Sequence, residues 1–402
     1  MEARIKEAIE RIELASRSKP ILVISHFDTD GITSAAIFTR ALERWGKQFS
    51  LKIVKGLEEE FVKNLPEDKV LIFLDLASNS LELLKNKKTE VFIFDHHEVV
   101  QEIPENVFFV NPFLKNSPPL SSAAICYLFA KALSVQSREL ATLGVVGMIG
   151  DLHDKNVHKT FSEILTDAEA VIKKGILIYP STRPLNIALE YSSTPYFPGI
   201  SGSREGVAEV LRDAGLYIEG GKYKALYELT NEEMKKLITA IIMKSGKAER
   251  EENLIGNLFL IKFFNKLEDA REISALINAC SRMDYPEVAL GFCLGNKSCK
   301  EEAEKIYINY RQSLVSALKY VAESEKILGK NYVIINGKDK IKDTIIGTIA
   351  SIISHSPVYQ EGQMIIALAY NGDKVKVSAR ITGRKGRNVR EILSRVVLPI
   401  GG

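Results

Sequence analysis

Cysteine is scarce in this chain and never falls at the spacing a zinc site needs. Four cysteines (Cys126, Cys280, Cys293 and Cys299) occur in 402 residues. None belongs to a CxxC or Cys/His pattern, and all lie in apolar or mixed segments, where small buried thiols are the common outcome. No run reaches the ~18 uncharged apolar residues of a membrane-spanning helix. The opening Met1-Glu2-Ala3-Arg4-Ile5-Lys6-Glu7 is charged at helical spacing and lacks an apolar secretory core, so a cytoplasmic protein with no membrane partner is expected. There is no long internal repeat and no low-complexity tract, which removes the solenoid and disordered classes. Nor does one sign of charge dominate, the net being +3.

What is present is a globular balance, 46% hydrophobic and 26% charged residues, in a chain long enough for two or three domains. The charge is unevenly spread. Residues 330–402 hold twelve Lys/Arg against five Asp/Glu, a local +7 that leaves the rest at −4. Such a basic module suits an anionic substrate, although an ordinary solvated basic face has the same composition.

The first half alternates apolar runs with helix-period segments. Residues 21–25, 51–55, 70–75, 91–95 and 107–110 read as strands, and 31–45, 121–133 and 137–152 as helices. Strand, helix, strand at this spacing predicts an α/β fold with a mostly parallel sheet covered on both faces. Residues 191–206 are dense in Ser, Pro and Gly and read as a connection. The stretch 207–264 reads as mainly helical, with Thr230 as an N-cap. Helices are then expected near 269–282 and 299–327, followed by strands at 332–336, 364–370 and 375–379, the last two forming a hairpin around Asn371-Gly372-Asp373.

Acidic and histidine motifs stand at the ends of these strands. Ser25-His26-Phe27-Asp28-Thr29-Asp30-Gly31 follows the first; Asp75 ends VLIFLD; Asp95-His96-His97 ends VFIFD. Asp151 is expected inside the helix VVGMIGDLHD, with His153 and Asp154 behind it. In a parallel sheet the carboxyl ends of neighbouring strands face one crevice, where ligands bind. Several carboxylates cannot share a dry crevice without cations. Asp and His donors without thiolate favour Mn²⁺ or Mg²⁺ over structural zinc, and two ions ~3.5–4 Å apart are the arrangement that activates water and clamps a phosphate. A calcium loop starting at Asp28 is ruled out, because its twelfth position is Thr39 where a Glu is required. Asp75 alone could equally be a helix N-cap.

SHFDTDG, LDLAS, DHH and GMIGD, in this order, resemble the signature of the DHH phosphoesterase superfamily. INACSRMDYPEVALGFCLG and KVSARITGRKGRNVREIL resemble the archaeal RecJ-like nucleases, including the GINS-associated type. The resemblance implies a DHH metal-binding catalytic domain over 1–195, a linker and helical segment over 196–265, and a smaller α/β DHHA1-like substrate-binding domain with a mixed sheet over 266–402. It implies two divalent cations, Mn²⁺ ahead of Mg²⁺. His26 and Asp28 would bind the first; Asp30, His96 and Asp151 the second; Asp75 would bridge them. A bridging hydroxide would be the nucleophile, with His97 beside the scissile phosphate and Asp95 orienting a ligand histidine.

By the same resemblance Arg380, with Ser378 at the strand end, would contact phosphate. Gly383, Arg384, Lys385 and Arg387 would open a helix whose free N–H groups face it, or form a solvated basic turn. His355 lies near similar family positions, where a loop histidine is more often structural. Ser121 and Ser122 either bind phosphate or cap a helix, capping being the safer reading. The family's C-terminal domain usually finishes with a glycine-rich, histidine-containing motif, and this chain stops at Gly401-Gly402, where such a motif would begin. The implied activity is hydrolysis of single-stranded DNA or RNA from an end, in replication or repair. The alternatives are a phosphodiesterase for short oligonucleotides or cyclic dinucleotides, and a scaffold with GINS in a replicative helicase assembly.

Overall fold

Runs such as VLIFL and VFIF have no polar face, so they are stable only in the interior of a sheet covered on both sides. The computed structural model describes residues 1–402 apart from 116, 156, 193–194, 196, 246–253, 355–357, 384–387 and 398–402. It divides into two compact units, Met1–Ser281 with Tyr285–Ala303, and Arg282–Asp284 with Glu304–Gly402.

The first unit begins with α1 (Glu2–Ala15), β1 (Ile21–His26), α2 (Thr29–Arg44), β2 (Phe49–Val54), α3 (Glu59–Lys63), β3 (Val70–Leu74), α4 (Leu81–Leu84), β4 (Val91–Phe94) and β5 (Val107–Val110). The five strands pair in parallel in the order β2-β1-β3-β4-β5. Every residue of β3, β4 and β5 is buried. On one face Leu22, Ile24, Leu71, Phe73 and Ile93 pack with Val62 of α3 and Leu81 and Leu84 of α4. The opposite face is covered by α2 and α5 (Ser122–Ala132), with α6 (Arg138–Gly150) packed on both helices. There Phe38 stacks on Phe129 at 4.6 Å and meets Phe94 at 5.0 Å. The chain leaves β1 for β2 on one side and returns for β3 on the other. The carboxyl ends of β1 and β3 therefore flank the crevice that forms where strand order reverses.

The unit continues with α7 (Lys159–Asp167), β6 (Val171–Ile176), α8 (Leu185–Glu190), α9 (Arg204–Asp213), α10 (Asn231–Ser245), β7 (Ile255–Phe263), β8 (Lys266–Asp269), α11 (Ala270–Arg282) and α12 (Pro286–Cys293). Here the expectation of a mainly helical 207–264 needs correction. α9 and α10 are helices, but Ile255–Phe263 is the central strand of an antiparallel sheet in the order β6-β7-β8. Its four consecutive buried residues, Leu258–Ile261, carry no period that separates strand from helix; the pairing with β6 decides. Thr230 does cap α10: its hydroxyl accepts from Glu233 N at 3.2 Å, while the Glu233 carboxylate accepts from Thr230 N at 2.7 Å. The Ser/Pro/Gly-rich stretch 191–206 contributes Phe197 and Ile200 to the core of this unit.

From Glu304 onward α13 (Lys297–Glu323) belongs to the second unit, and it leads to β9 (Lys326–Leu328), β10 (Tyr332–Asn336), α14 (Asp343–Ser354), β11 (Met364–Asn371), β12 (Lys374–Ile381) and α15 (Val389–Val397). The sheet is mixed, in the order β12-β11-β10-β9, with β10 and β11 parallel and the other pairs antiparallel. β11 and β12 form the expected hairpin, closed with Gly372 at φ 60°. α14 packs on β11 and β12 through an apolar face including Ile345, Ile346 and Ile349. Among the described residues no helix is long and apolar enough to cross a membrane.

Candidate metal centre

The turn from β1 into α2 sets the first donors. Asp28 caps α2, its carboxylate accepting from Gly31 N at 3.0 Å, and Ser25 Oγ donates to Gly31 O at 2.7 Å. The glycine is required here, since a Cβ would stand 2.2 Å from His26 O. Two residues on, Asp30 is fully buried and accepts from Ser122 N at 2.7 Å and Ala123 N at 3.0 Å. The N-terminus of α5 thus holds this carboxylate with free backbone donors. Behind it Gly147 of α6 admits the close approach: a Cβ there would lie 2.6 Å from Asp30 Oδ1.

Asp75 follows β3 in a left-handed conformation, φ 59°, with Ala77 at φ 89° in the same turn. Two residues with Cβ in that region within three positions store strain, which is characteristic of functional turns. Asp75 caps no helix; its Oδ1 accepts from Ser122 Oγ at 3.1 Å. Asp151 lies just past the end of α6 as its C-cap, a correction to its expected place inside that helix.

These groups form two clusters that share one residue. His26, Asp28 and Asp75 make the first; Asp30, Asp75, His96 and Asp151 make the second. Asp75 turns one oxygen to each. Its Oδ2 is 3.3 Å from His26 Nδ1, and its Oδ1 is 3.4 Å from His96 Nε2. His26 Nδ1 also lies 3.1 Å from Asp28, and His96 Nε2 lies 2.7 Å from Asp151 and 3.8 Å from Asp30. All six residues expected to bind metal are brought together.

The electrostatics show what such crowding costs. Burial, with repulsion from Asp75 and Asp151, pushes the Asp30 carboxyl well above the usual carboxylate range. Asp75 is raised by burial and by the Asp28 charge. Burial opposes charge on His26, yet hydrogen bonds and attraction from Asp28 and Asp75 push it up to about 10. For His96 the same contest, with Asp151 and Asp75, ends at about 12. The carboxylates call for positive charge, and His96 Nε2, although buried 2.7 Å from Asp151 Oδ2, is not aligned for a hydrogen bond with any of them. Oxygen donors with an imidazole nitrogen left unsatisfied fit divalent cations, which would let the acids ionise and both histidines ligate as neutral rings.

Asp95 belongs to the support. It accepts from His96 N at 2.7 Å, His97 N at 3.3 Å and Ser78 N at 3.1 Å, and from the Ser78 hydroxyl. His97 Nδ1 stands 2.7 Å away, and the net effect of these partners over burial is a carboxyl held down at about 2. The side chain Asp95 orients is thus that of His97, while His96 is held through its backbone. Ser122, expected as a phosphate binder or helix cap, instead supports Asp30 and Asp75 through its N–H and hydroxyl, while Ser78 and Gly147 carry no expectation from the sequence. Ser78 and Gly147 sit within LDLAS and GMIGD, and a search for donors behind each Asp would have flagged them. Ser121 Oγ caps α5, accepting from Ala124 N.

Of the residues expected in the C-terminal half, Ser378 is buried on β12 and Arg380 is exposed, its Nη1 donating to the adjacent Ala379 O. Gly383 follows β12 with φ 70°. Arg384, Lys385, Arg387 and His355 lie outside the described residues. Cys126, Cys280 and Cys293 are buried free thiols and Cys299 is half-buried.

Fold and site together define an α/β protein of the DHH type, with Asp and His donors gathered at the reversal point of a parallel sheet. The description "DHH family, N-terminal domain" matches residues 20–148, and "DHH-CID domain" matches 178–259. The chain belongs to the DHH superfamily and is RecJ-like. It is 30% identical to an uncharacterized protein of Methanocaldococcus jannaschii, over 94% of this chain and 86% of that one. It is 27% identical to the single-stranded-DNA-specific exonuclease RecJ of Bacillus subtilis, over 38% of this chain and 22% of RecJ. In structure it is similar to RecJ in complex with Mn²⁺ from Thermus thermophilus, with TM-score 0.56 and 18% identity, over 91% of this chain and 46% of that one. It is also similar to CDC45 from Entamoeba histolytica, with TM-score 0.68 and 13% identity, over 95% and 88%. The chain thus spans about half the length of the Thermus RecJ chain.

Proposed function

We propose that the chain is a two-metal phosphodiesterase that hydrolyses single-stranded nucleic acid from an end. The observation that carries the reading is Asp75, whose two oxygens face two different donor clusters. His26 and Asp28 would hold one divalent cation, Asp30, His96 and Asp151 the other, with Asp75 shared; Mn²⁺ is favoured over Mg²⁺. Bound cations would supply Lewis acidity and a water ionised near neutral pH. His97, half-exposed and fixed by Asp95, would donate a hydrogen bond to the phosphate or a proton to the leaving oxygen. Arg380 and the basic segment around it would hold the phosphate backbone.

The test is digestion of matched DNA and RNA strands, labelled at either end, with Mn²⁺ and then Mg²⁺. Wild type is expected to shorten one labelled population progressively, and Asp75→Asn to leave it intact while keeping the same circular dichroism spectrum. Full activity of Asp75→Asn refutes the shared-ligand reading. Cleavage of dimers or cyclic dinucleotides beside untouched long strands would move the substrate to short oligonucleotides. A helicase-associated scaffold with GINS is the remaining reading, and the complete set of six donors argues against a purely structural role.

A further inference from the structure

The six-donor reading leaves one imidazole beside the site without a role. His153 follows Asp151 by two residues in a short 3₁₀ turn (His153–Lys155), after Leu152 at φ 59°. That left-handed step folds the chain back on the end of α6. The His153 ring meets the His96 ring edge-on, with centroids 5.9 Å apart and planes at 71°. One ligand atom each of His96, Asp151 and His153 lie within 4.8 Å of one another, close enough to share an ion. His96 Nε2, which the three carboxylates surround, is buried and aligned for a hydrogen bond with none of them, though it lies 2.7 Å from Asp151 Oδ2.

We propose that His153 is a further ligand of the second cation and sets which metal that position prefers. The inference rests on the two-metal reading above. Without His153 the second cluster offers three carboxylates and one imidazole, a set that suits Mg²⁺ nearly as well as Mn²⁺. A second imidazole tilts the set toward ions that accept nitrogen donors, in the order Mn²⁺, Co²⁺, Ni²⁺, over Mg²⁺, which holds to oxygen and water. Leu152 supports this placement. It is 75% exposed in a conformation that a branched side chain adopts at a cost, and what the turn gains is His153 at the His96 ring.

The test reads metal binding, so that it stands apart from hydrolysis. Mn²⁺ and Mg²⁺ titrations followed by calorimetry and Mn²⁺ electron paramagnetic resonance are compared for wild type, His153→Ala and His153→Gln. One of the two Mn²⁺ steps is expected to lose on the order of 10–100-fold in affinity in both variants, with Mg²⁺ affinity changed less than about threefold. Pulsed resonance of Mn²⁺-loaded wild type should show nitrogen couplings beyond those of His26 and His96, and these extra couplings should be lost in both variants, so either variant that folds suffices. Unchanged Mn²⁺ affinity, or equal losses for Mn²⁺ and Mg²⁺, overturns the proposal while leaving the two-metal reading in place. Absence of any Mn²⁺ binding by wild type overturns both.

Discussion

His97 Nδ1 lies 2.7 Å from Asp95 Oδ1, and that oxygen also accepts from the backbone N–H groups of His96 and His97. One buried carboxylate therefore fixes the ring of one histidine and the main chain of both. Replacing Asp95 with Asn removes the charge that orients the ring and offers a donor where acceptors are needed. Hydrolysis by Asp95→Asn is expected to fall by about 10–100-fold in kcat, with Mn²⁺ affinity within about threefold of wild type. A drop in Mn²⁺ affinity that accounts for the whole loss would show Asp95 acting on the metal donors instead.

Gly147 faces Asp30 with no room for a methyl group, since a Cβ would stand 2.4 Å from Ala123 Cβ and 2.6 Å from Asp30 Oδ1. Gly147→Ala should destabilise the fold by about 1–3 kcal/mol through overpacking, read as a lowered urea midpoint. It should also weaken metal binding, because the displaced neighbour is a donor. Gly46→Ala, where nothing lies within 4 Å but φ is +74°, is the control: it strains the backbone away from the site and should leave metal binding unchanged.

Metal should stabilise the first unit strongly. Asp30 and Asp75 are costly to ionise where they lie, and a cation removes that cost only in the folded state. Saturation to 100 times the dissociation constant contributes about 2.7 kcal/mol per ion. Mn²⁺ should raise the melting temperature and a chelator reverse it. An equal rise in a His26→Ala, Asp75→Asn double variant would place the stabilising ions elsewhere.

Glu272, near the start of α11, is buried and raised to about 7, chiefly by burial, against the lowering effect of Arg183 at 3.3 Å. Its folded value exceeds the unfolded 4.5, so its contribution to stability is complete below pH 4.5 and is lost as pH rises through about 7. Glu272→Gln should flatten the stability profile across that window. The gain at pH 8 should be at most a few kcal/mol relative to wild type. A profile of unchanged slope would show that Glu272 titrates normally.

Much of the sheet was legible because each strand is an apolar run with a sharp end. Residues 107–110 match β5 in full, and β1, β3 and β4 differ from expectation by one residue at the carboxyl end. In each case the difference is the polar residue that leaves the ladder or joins it: His26 extends β1, while Asp75 and Asp95 turn away from β3 and β4. β6 was missed and β7 was read as helix, because the apolar residues of both are interpreted only through each other.

The sequence by itself determined which residue types would meet, since acid and imidazole end every central strand and a parallel sheet delivers strand ends to one crevice. Only the tertiary structure decided how they divide. The division of donors around Asp75, the hold of α5's N-terminus on Asp30, and the approach of His153 to His96 all depend on packing between segments far apart in the chain. Distances of a few ångströms between such segments are set by close-packed side chains and tight glycine contacts, which no local pattern of residues records.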